Sequence, residues 1–387
     1  MNLVWFLTIG IFLSICLGEF SRFPFGGGGG VSITLYDIFL SLSVVFLLIW
    51  QIGINKNLKS LNVLKVVFPF IAIALISLLF SGNITGGVYL IRFALYALSL
   101  WLGYSIVISK VIKIHSINKL IIGVGIFLSV VGLLQEIFIP DLVFLTPFGF
   151  DPHQARLVST FLDPNFLGIF LNIILAALFF EYLKKSDKKW IIISCLVTLA
   201  IFLTFSRSSY LFLGIQLGSW GIFKFRKLLI VFMAIILLLF LFVPRFSERI
   251  NGAFRIDKSS VERFASWESG FKLFYQNPIL GVGFNNVRSE MLENNFTKTY
   301  TENGGHAGAG IDSSFLFVLA TTGVLGFLSF AYLWIQILLW NKKRLLVILP
   351  MLIGLFISSQ FVNALFYPPI TFLLLFWLGS LRAHDLL

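Results

Sequence analysis

Arginine is the side chain most open to a chemical reading along this chain. Arg92 falls inside an apolar run, Arg156 and Arg207 fall between runs, and Arg263 lies in a long polar stretch. A guanidinium presents a rigid fork of donors that can hold a phosphate or carboxylate through two bonds at once, which a lysine ammonium cannot do. Carboxylates accompany them: Asp37 and Glu136 sit within runs, and Asp163 and Asp312 stand where runs begin. Ionisable groups at such positions are costly in hydrocarbon and default to a functional hypothesis. Each has a plainer alternative. The arginines can snorkel to headgroups or pair with nearby acids. Asp163-Pro164 reads as an N-cap followed by proline at the first helical position, and Asp312-Ser313-Ser314 reads as a cap as well. His306, in GGHAGAG, is either a base or an ordinary loop histidine.

The elements that hold these residues are membrane spans. Of 387 residues 58% are hydrophobic and 12% charged, and the mean hydropathy is +0.96. Soluble domains carry about twice that share of charge, so a soluble enzyme, a disordered chain and a nucleic-acid binder are excluded. The long unbroken runs also exclude a β-barrel, which would alternate. At ~20 apolar residues per span the chain has room for about twelve spans. Runs are read at about residues 3–18, 32–53, 66–80, 87–109, 120–139, 164–183, 190–205, 210–223, 228–243, 313–340, 345–366 and 370–381.

Every second connection is basic, as in Lys56, Lys59 and Lys65, or Lys184, Lys185, Lys188 and Lys189. The positive-inside rule puts these connections, and with them both termini, in the cytoplasm. Residues 1–18 lack a basic n-region and a small-x-small cleavage site, so they read as a first span rather than a signal peptide. Cys16 and Cys195 fall in apolar runs and imply neither a disulfide nor a metal framework. On this topology Asp37, Arg92 and Glu136 lie about 5 to 10 Å below the outer surface. The polar cluster therefore belongs to the outer leaflet.

Three units follow: residues 1–243 with spans one to nine, an outer loop at 244–312, and spans ten to twelve at 313–387. A loop this long is either functional or disordered, and its aromatic residues argue for order. Ser259 and Glu262 have the spacing of a capping box. Phe264, Trp267, Phe271 and Phe274 recur at three and four residues and are expected to line one face of an amphipathic helix. Asn277-Pro278 ends it, and Gly281 and Gly283 make a turn. Such a helix lies on the bilayer, covers an outer site, or does both. The run Gly26–Gly30 reads as a flexible connection and lacks the Lys-Ser/Thr of a phosphate loop.

Four segments resemble one family: RLVSTFLDPNFLG at 156–168, TFSRSS at 204–209, ERFASWESGFKLFYQNPILGVGFNNV at 262–287 and DSSFLFVLATTGVLGF at 312–327. In order and spacing they are similar to the O-antigen ligase and polymerase family of bacterial membrane glycosyltransferases. The resemblance implies an all-α, GT-C-like polytopic fold in the inner membrane. The implied donor is an undecaprenyl-diphosphate-linked glycan used at the outer face, with a glycan or lipid-linked acceptor and no cofactor or metal. Other polysaccharide-assembly proteins are possible partners, and nucleic acid is not one.

By the resemblance Arg207 and Arg263 contact the diphosphate. The last motif departs from the family's usual His-Asn, with Asp312-Ser313 in its place, so Asp312 and His306 compete for the role of general base. Arg92 and Arg156 complete the expected substrate-binding set. Fixed guanidinium groups would stabilise the charge developing on the leaving diphosphate, and a base within reach would deprotonate the acceptor hydroxyl. Polymerisation of surface-polysaccharide repeat units is the leading expectation, and ligation of finished glycan onto a lipid A-core is the second. From other classes come a noncatalytic assembly partner and a twelve-span secondary transporter. The transporter would favour two similar halves, paired broken helices and sites near the midplane.

Overall fold

The computed structural model describes residues 1–24, 32–55, 58–251, 258–294, 296 and 310–387. Among them are sixteen α-helices in chain order: α1 (Asn2–Leu17), α2 (Leu35–Ile49), α3 (Phe68–Phe80), α4 (Gly87–Ala97), α5 (Ser99–Ile108), α6 (Ile114–Phe138), α7 (Pro164–Lys185), α8 (Lys188–Leu203), α9 (Arg207–Phe223), α10 (Arg226–Phe242), α11 (Pro244–Asn251), α12 (Lys258–Gln276), α13 (Val287–Glu293), α14 (Ser314–Trp340), α15 (Leu345–Ser358) and α16 (Pro368–His384). The protein is 80% helical. A two-strand hairpin, β1 (Arg22–Pro24) with β2 (Ser32–Thr34), is an addition to the all-α expectation. The pentaglycine between the strands lies outside the described residues.

A helix occupies each expected run, but length divides them. Six candidate spans are long and apolar enough to cross a membrane, or seven if the bent pair Ser60–Val66 and Phe68–Phe80 forms one span. Helices such as α15, of 14 residues, and α16, of 17, fall short of that test. The run at 87–109 is two helices, α4 and α5, that together pass as one span. The chain is thus a multi-pass helical membrane protein.

The core forms around α7, which is apolar on every face and buried from Pro164 through most of its length. Helices α5 and α16 cross where each offers a glycine to the other's backbone. A β-carbon at Gly103 would strike the Phe376 carbonyl, and one at Gly379 the Leu100 carbonyl. Small residues at such a crossing let backbones approach closely, which is how spans associate when lipid is as apolar as the side chains. Near the other end of α7 the buried Glu181 is paired with His115 Nδ1 at 2.6 Å and accepts from Asn118 Nδ2 at 2.5 Å.

The long loop is not laid simply over the bundle. Helix α12, which starts at Lys258, packs on the start of α14. Its buried stripe is Ser266, Ser269, Gly270 and Leu273, beside the aromatic face. Phe264 and Phe271 point outward and are about half exposed, at 54% and 47%. The small residues are preferred inward because Gly270 lies against Leu316 and Ile311, where a larger side chain would hold the helices apart.

Beyond α12 the chain turns at Gly281 and Gly283, both at positive φ as the turn requires, and enters a break in α14. The break is at Gly323, at φ 64°. Val282 and Gly283 donate their N–H groups to the carbonyls of Ala320 and Thr321, while Val324 and Leu325 donate to Pro278 and Ile279. Ser77 Oγ also donates to Thr321 O at 2.7 Å. Irregular backbone is tolerated at membrane depth only where protein satisfies it. Here two broken segments satisfy each other, about 14 Å along α14 from its start.

Candidate functional site

Three helices begin together. Asp163 caps α7, its Oδ1 accepting from the N–H groups of Asn165 at 2.7 Å and Phe166 at 3.0 Å. Ser206 caps α9 and donates from its Oγ to Asn165 Oδ1 at 2.8 Å. Ser313 caps α14, accepting from the Leu316 N–H. The stretch after α15 ties these ends: Ser358 Oγ donates to Ser208 O at 2.8 Å, Ser359 O accepts from the Ser314 N–H, and Tyr367 stacks on Phe166 with centroids 4.1 Å apart. Each helix start carries about half a positive charge from its unpaired N–H groups. Converging starts make a place for an anion.

Ser313 supplies the cap of α14, so the expected capping role of Asp312 is corrected. Its backbone is pinned from both sides, the N–H donating to Ser266 Oγ at 2.9 Å and the carbonyl accepting from Trp267 Nε1 at 3.4 Å. Helix α12 therefore positions Asp312. Burial pushes the carboxyl up from the usual 3.8 to about 6; Arg263 opposes the rise, and Asp163, Glu262 and Asp151 add to it. Burial likewise raises Asp163, opposed by its two N–H donors and by Arg156 and Arg263.

Arg263 thus stands in the field of both Asp163 and Asp312. Arg156 joins Asp163 and also donates to the carbonyls of Thr204 at 2.9 Å and Phe205 at 3.4 Å, closing the end of α8. Arg207 opens α9 between Ser206 and Ser208, whose contacts reach Asn165 and Ser358. Arg156, Arg207, Arg263 and Asp312 are therefore gathered around one set of helix starts. His306 lies outside the described residues.

Arg92 belongs to a separate network. It makes a paired bond to Asp37, Nε to Oδ1 at 3.0 Å and Nη2 to Oδ2 at 2.7 Å. Tyr96 Oη donates to Asp37 Oδ1 at 2.6 Å, and Thr34 donates from both its N–H and its Oγ1 to Oδ2. Arg92 also lines a cavity of about 220 Å³ enclosed by α4, Phe284 and Asn285, Phe317 of α14, and residues between 363 and 371. Glu136, near the end of α6, has Arg245 as its charged neighbour.

One grouping had no counterpart in the sequence motifs. The donor atoms of Asp151, His153 and Asp163 lie within 4.8 Å of one another. Their spacing of two and ten residues across a loop carries no metal signature, so only the fold reveals it.

A protein-family model described as O-antigen ligase matches residues 191–331. The matched stretch runs from α8 into α14 and includes Arg207, Arg263, His306 and Asp312; Arg92 and Arg156 precede it. A comparison with curated proteins finds no match. The family match and the apolar helices agree: the chain is a multi-pass helical membrane protein whose residues 191–331 match the model of the O-antigen ligase family that its motifs resemble.

Proposed function

We propose that this protein transfers a glycan from an undecaprenyl-diphosphate carrier to an acceptor hydroxyl at the outer face of the bacterial inner membrane, with both termini in the cytoplasm. The observation that carries the reading is Asp312, a partly buried carboxyl raised to about 6 in the field of Arg263, next to the joined starts of α7, α9 and α14. A base is most useful when its pKa lies near the working pH. In the proposed step the acceptor oxygen bonds to the anomeric carbon as that carbon's bond to the diphosphate oxygen breaks. The acceptor's proton passes to Asp312, and the electron pair leaves with the lipid diphosphate. Arg263, Arg207 and the helix starts face the charge that develops there, and they do so from fixed positions. That supply of positive charge supports a metal-independent reaction.

Polymerisation of repeat units is our first reading. Ligation is retained as the second, because the matching family model is described as O-antigen ligase. A strain lacking the gene decides between them. Single-unit glycan on the surface lipid indicates a polymerase, long chains stranded on the carrier indicate a ligase, and surface polysaccharide of unchanged amount and length overturns both. A twelve-span transporter fits less well, since the break in α14 is filled by residues 278–283 rather than left open to an ion.

A further inference from the structure

Tyr367 stands at the joined helix starts and has no task in the reaction described above. It precedes α16, whose first two residues, Pro368 and Pro369, bring no N–H groups to that end. Its ring is immobilised: it stacks on Phe166, with centroids 4.1 Å apart and planes 10° from parallel, and Phe161 leans on it at 5.8 Å. Phe166 in turn gives its N–H to Asp163. The phenol is thus fixed beside the carboxylate that caps α7.

Its hydroxyl is not used within the protein. Among the described residues every hydrogen bond of Tyr367 runs through its backbone, with the N–H donating to Ala364 O and the carbonyl accepting from Ile370 and Thr371. The hydroxyls of Ser159 and Thr160, in the segment that carries Phe161, also lack a partner, but those are sealed from solvent. Tyr367 is only half-buried, and its Oη is not closed off in that way. A ligand can therefore reach it.

The charges around the hydroxyl bear on what that ligand is. Burial pushes the phenol well above its usual 10, and Glu19, Tyr36 and Asp163 add to the rise against Arg22. The group is therefore a neutral O–H donor at working pH. Arg22 already gives its Nη1 to Glu19 at 3.1 Å and its Nε to Ser32 Oγ at 2.7 Å, so an anion beside the phenol would face two acids with little positive charge to spare. A phosphate is better served by Arg207 and Arg263. A sugar hydroxyl, which can accept from the phenol and donate to a carboxylate, suits the place.

We propose that Tyr367 Oη binds an oxygen of the sugar joined to the lipid diphosphate, and so helps to select the donor glycan. The assignment rests on the transferase reading above, which puts the diphosphate at these helix starts and its first sugar next to it.

Tyr367→Phe removes one oxygen and keeps the stack on Phe166. Because no protein hydrogen bond is lost, the variant is expected to melt with the wild type. The full-length protein in nanodiscs is titrated with two probes, bare undecaprenyl diphosphate and the undecaprenyl-diphosphate-linked repeat unit extracted from the strain that makes the protein. The glycan-bearing lipid should bind Tyr367→Phe about fivefold to tenfold more weakly, as for one neutral hydrogen bond, while the bare lipid binds both proteins alike. Equal binding of the glycan-bearing lipid by both proteins overturns the assignment. So does equal weakening for both lipids, which would put the phenol on the phosphate, and so does a lowered melting temperature, which would give the hydroxyl a partner inside the protein. A wild type that binds neither lipid sinks the transferase reading, and the assignment falls with it. Glycan binding that depends on Tyr367 in a protein that transfers nothing would sink the transferase reading alone and leave the sugar contact standing.

Discussion

Gly323 breaks α14 where the backbone of Ile279 passes, so close that a β-carbon at 323 would collide with the Ile279 carbonyl oxygen. Gly281 meets Thr321 in the same way from the other side. Through this junction residues 278–283 are anchored inside the helix whose start follows Asp312, and α12 is held against that start. Residues 258–283 are therefore packed into the site rather than tethered beside it.

Gly323→Ala and Gly281→Ala combine a positive φ with a backbone collision. Each is expected to cost more than about 2 kcal/mol and to yield little monodisperse protein. Gly214→Ala on α9, where an added β-carbon meets nothing within 4 Å, is the control and should melt at or above the wild-type temperature. Normal melting of Gly323→Ala would mean that the junction is loose.

Legibility in the sequence followed the strength of the local signal. Apolar runs of span length located the helices, and the depth of Arg92 left Asp37 and Glu136 as acidic partners, between which only the fold selects Asp37. Helix α12 and its aromatic face were legible, but the stripe that packs on α14 was not, because Ser266, Ser269 and Gly270 carry no hydrophobic signal and are selected by close packing. The cap of α14 was displaced by one residue because Asp312 and Ser313 are both good caps. The break at Gly323 was hidden, since a glycine within a span signals packing as readily as a kink, and its partner lies forty residues away in a turn.

Arg263 and Arg207 are expected to act through bidentate contact with a diphosphate. Arg263→Lys and Arg207→Lys should each lower transfer at least about tenfold, while membrane insertion is retained. Transfer should be indifferent to EDTA. Near-normal polymer from both lysine variants would remove the clamp, and loss of activity on chelation, restored by a divalent ion, would direct attention to Asp151, His153 and Asp163.

Asp37 accepts from Arg92, Tyr96 and Thr34 while its side chain is 12% exposed. Asp37→Ala strands the Arg92 cation and removes half of the capping box on α2. Breaking one side of a buried pair costs about 3 to 5 kcal/mol, so this variant should be depleted from the membrane. A variant as abundant and as heat-stable as wild type would show that the network is dispensable.

The orientation predicts that a cysteine at Glu268, which is exposed on α12, reacts with an impermeant thiol reagent in intact spheroplasts when Cys16 and Cys195 are replaced. A cysteine at Ser186 should be protected. The reverse pattern would invert the topology and put the site on the wrong face.

The charge state of Asp312 offers the closest test of the reaction. As a general base it must be ionised, so transfer should rise with pH through about 6 and level off above it, where the carboxyl has lost its proton. The same shift predicts a stability effect of opposite sense. A carboxyl raised from 3.8 to about 6 by folding binds a proton more tightly in the native state, so its contribution is fully present below 3.8 and is lost as pH rises through 6. At pH 8 the partly buried charge then costs up to about 3 kcal/mol, from about 1.4 kcal/mol per unit. Asp312→Asn cannot ionise and leaves the Ser313 cap in place, so it should be inactive, inserted, and more heat-stable than wild type at pH 8, with the gap closing towards pH 4. An inactive variant that is also unstable at pH 8 would make Asp312 a structural residue. An active one, paired with an inactive His306→Ala, would give the base to His306.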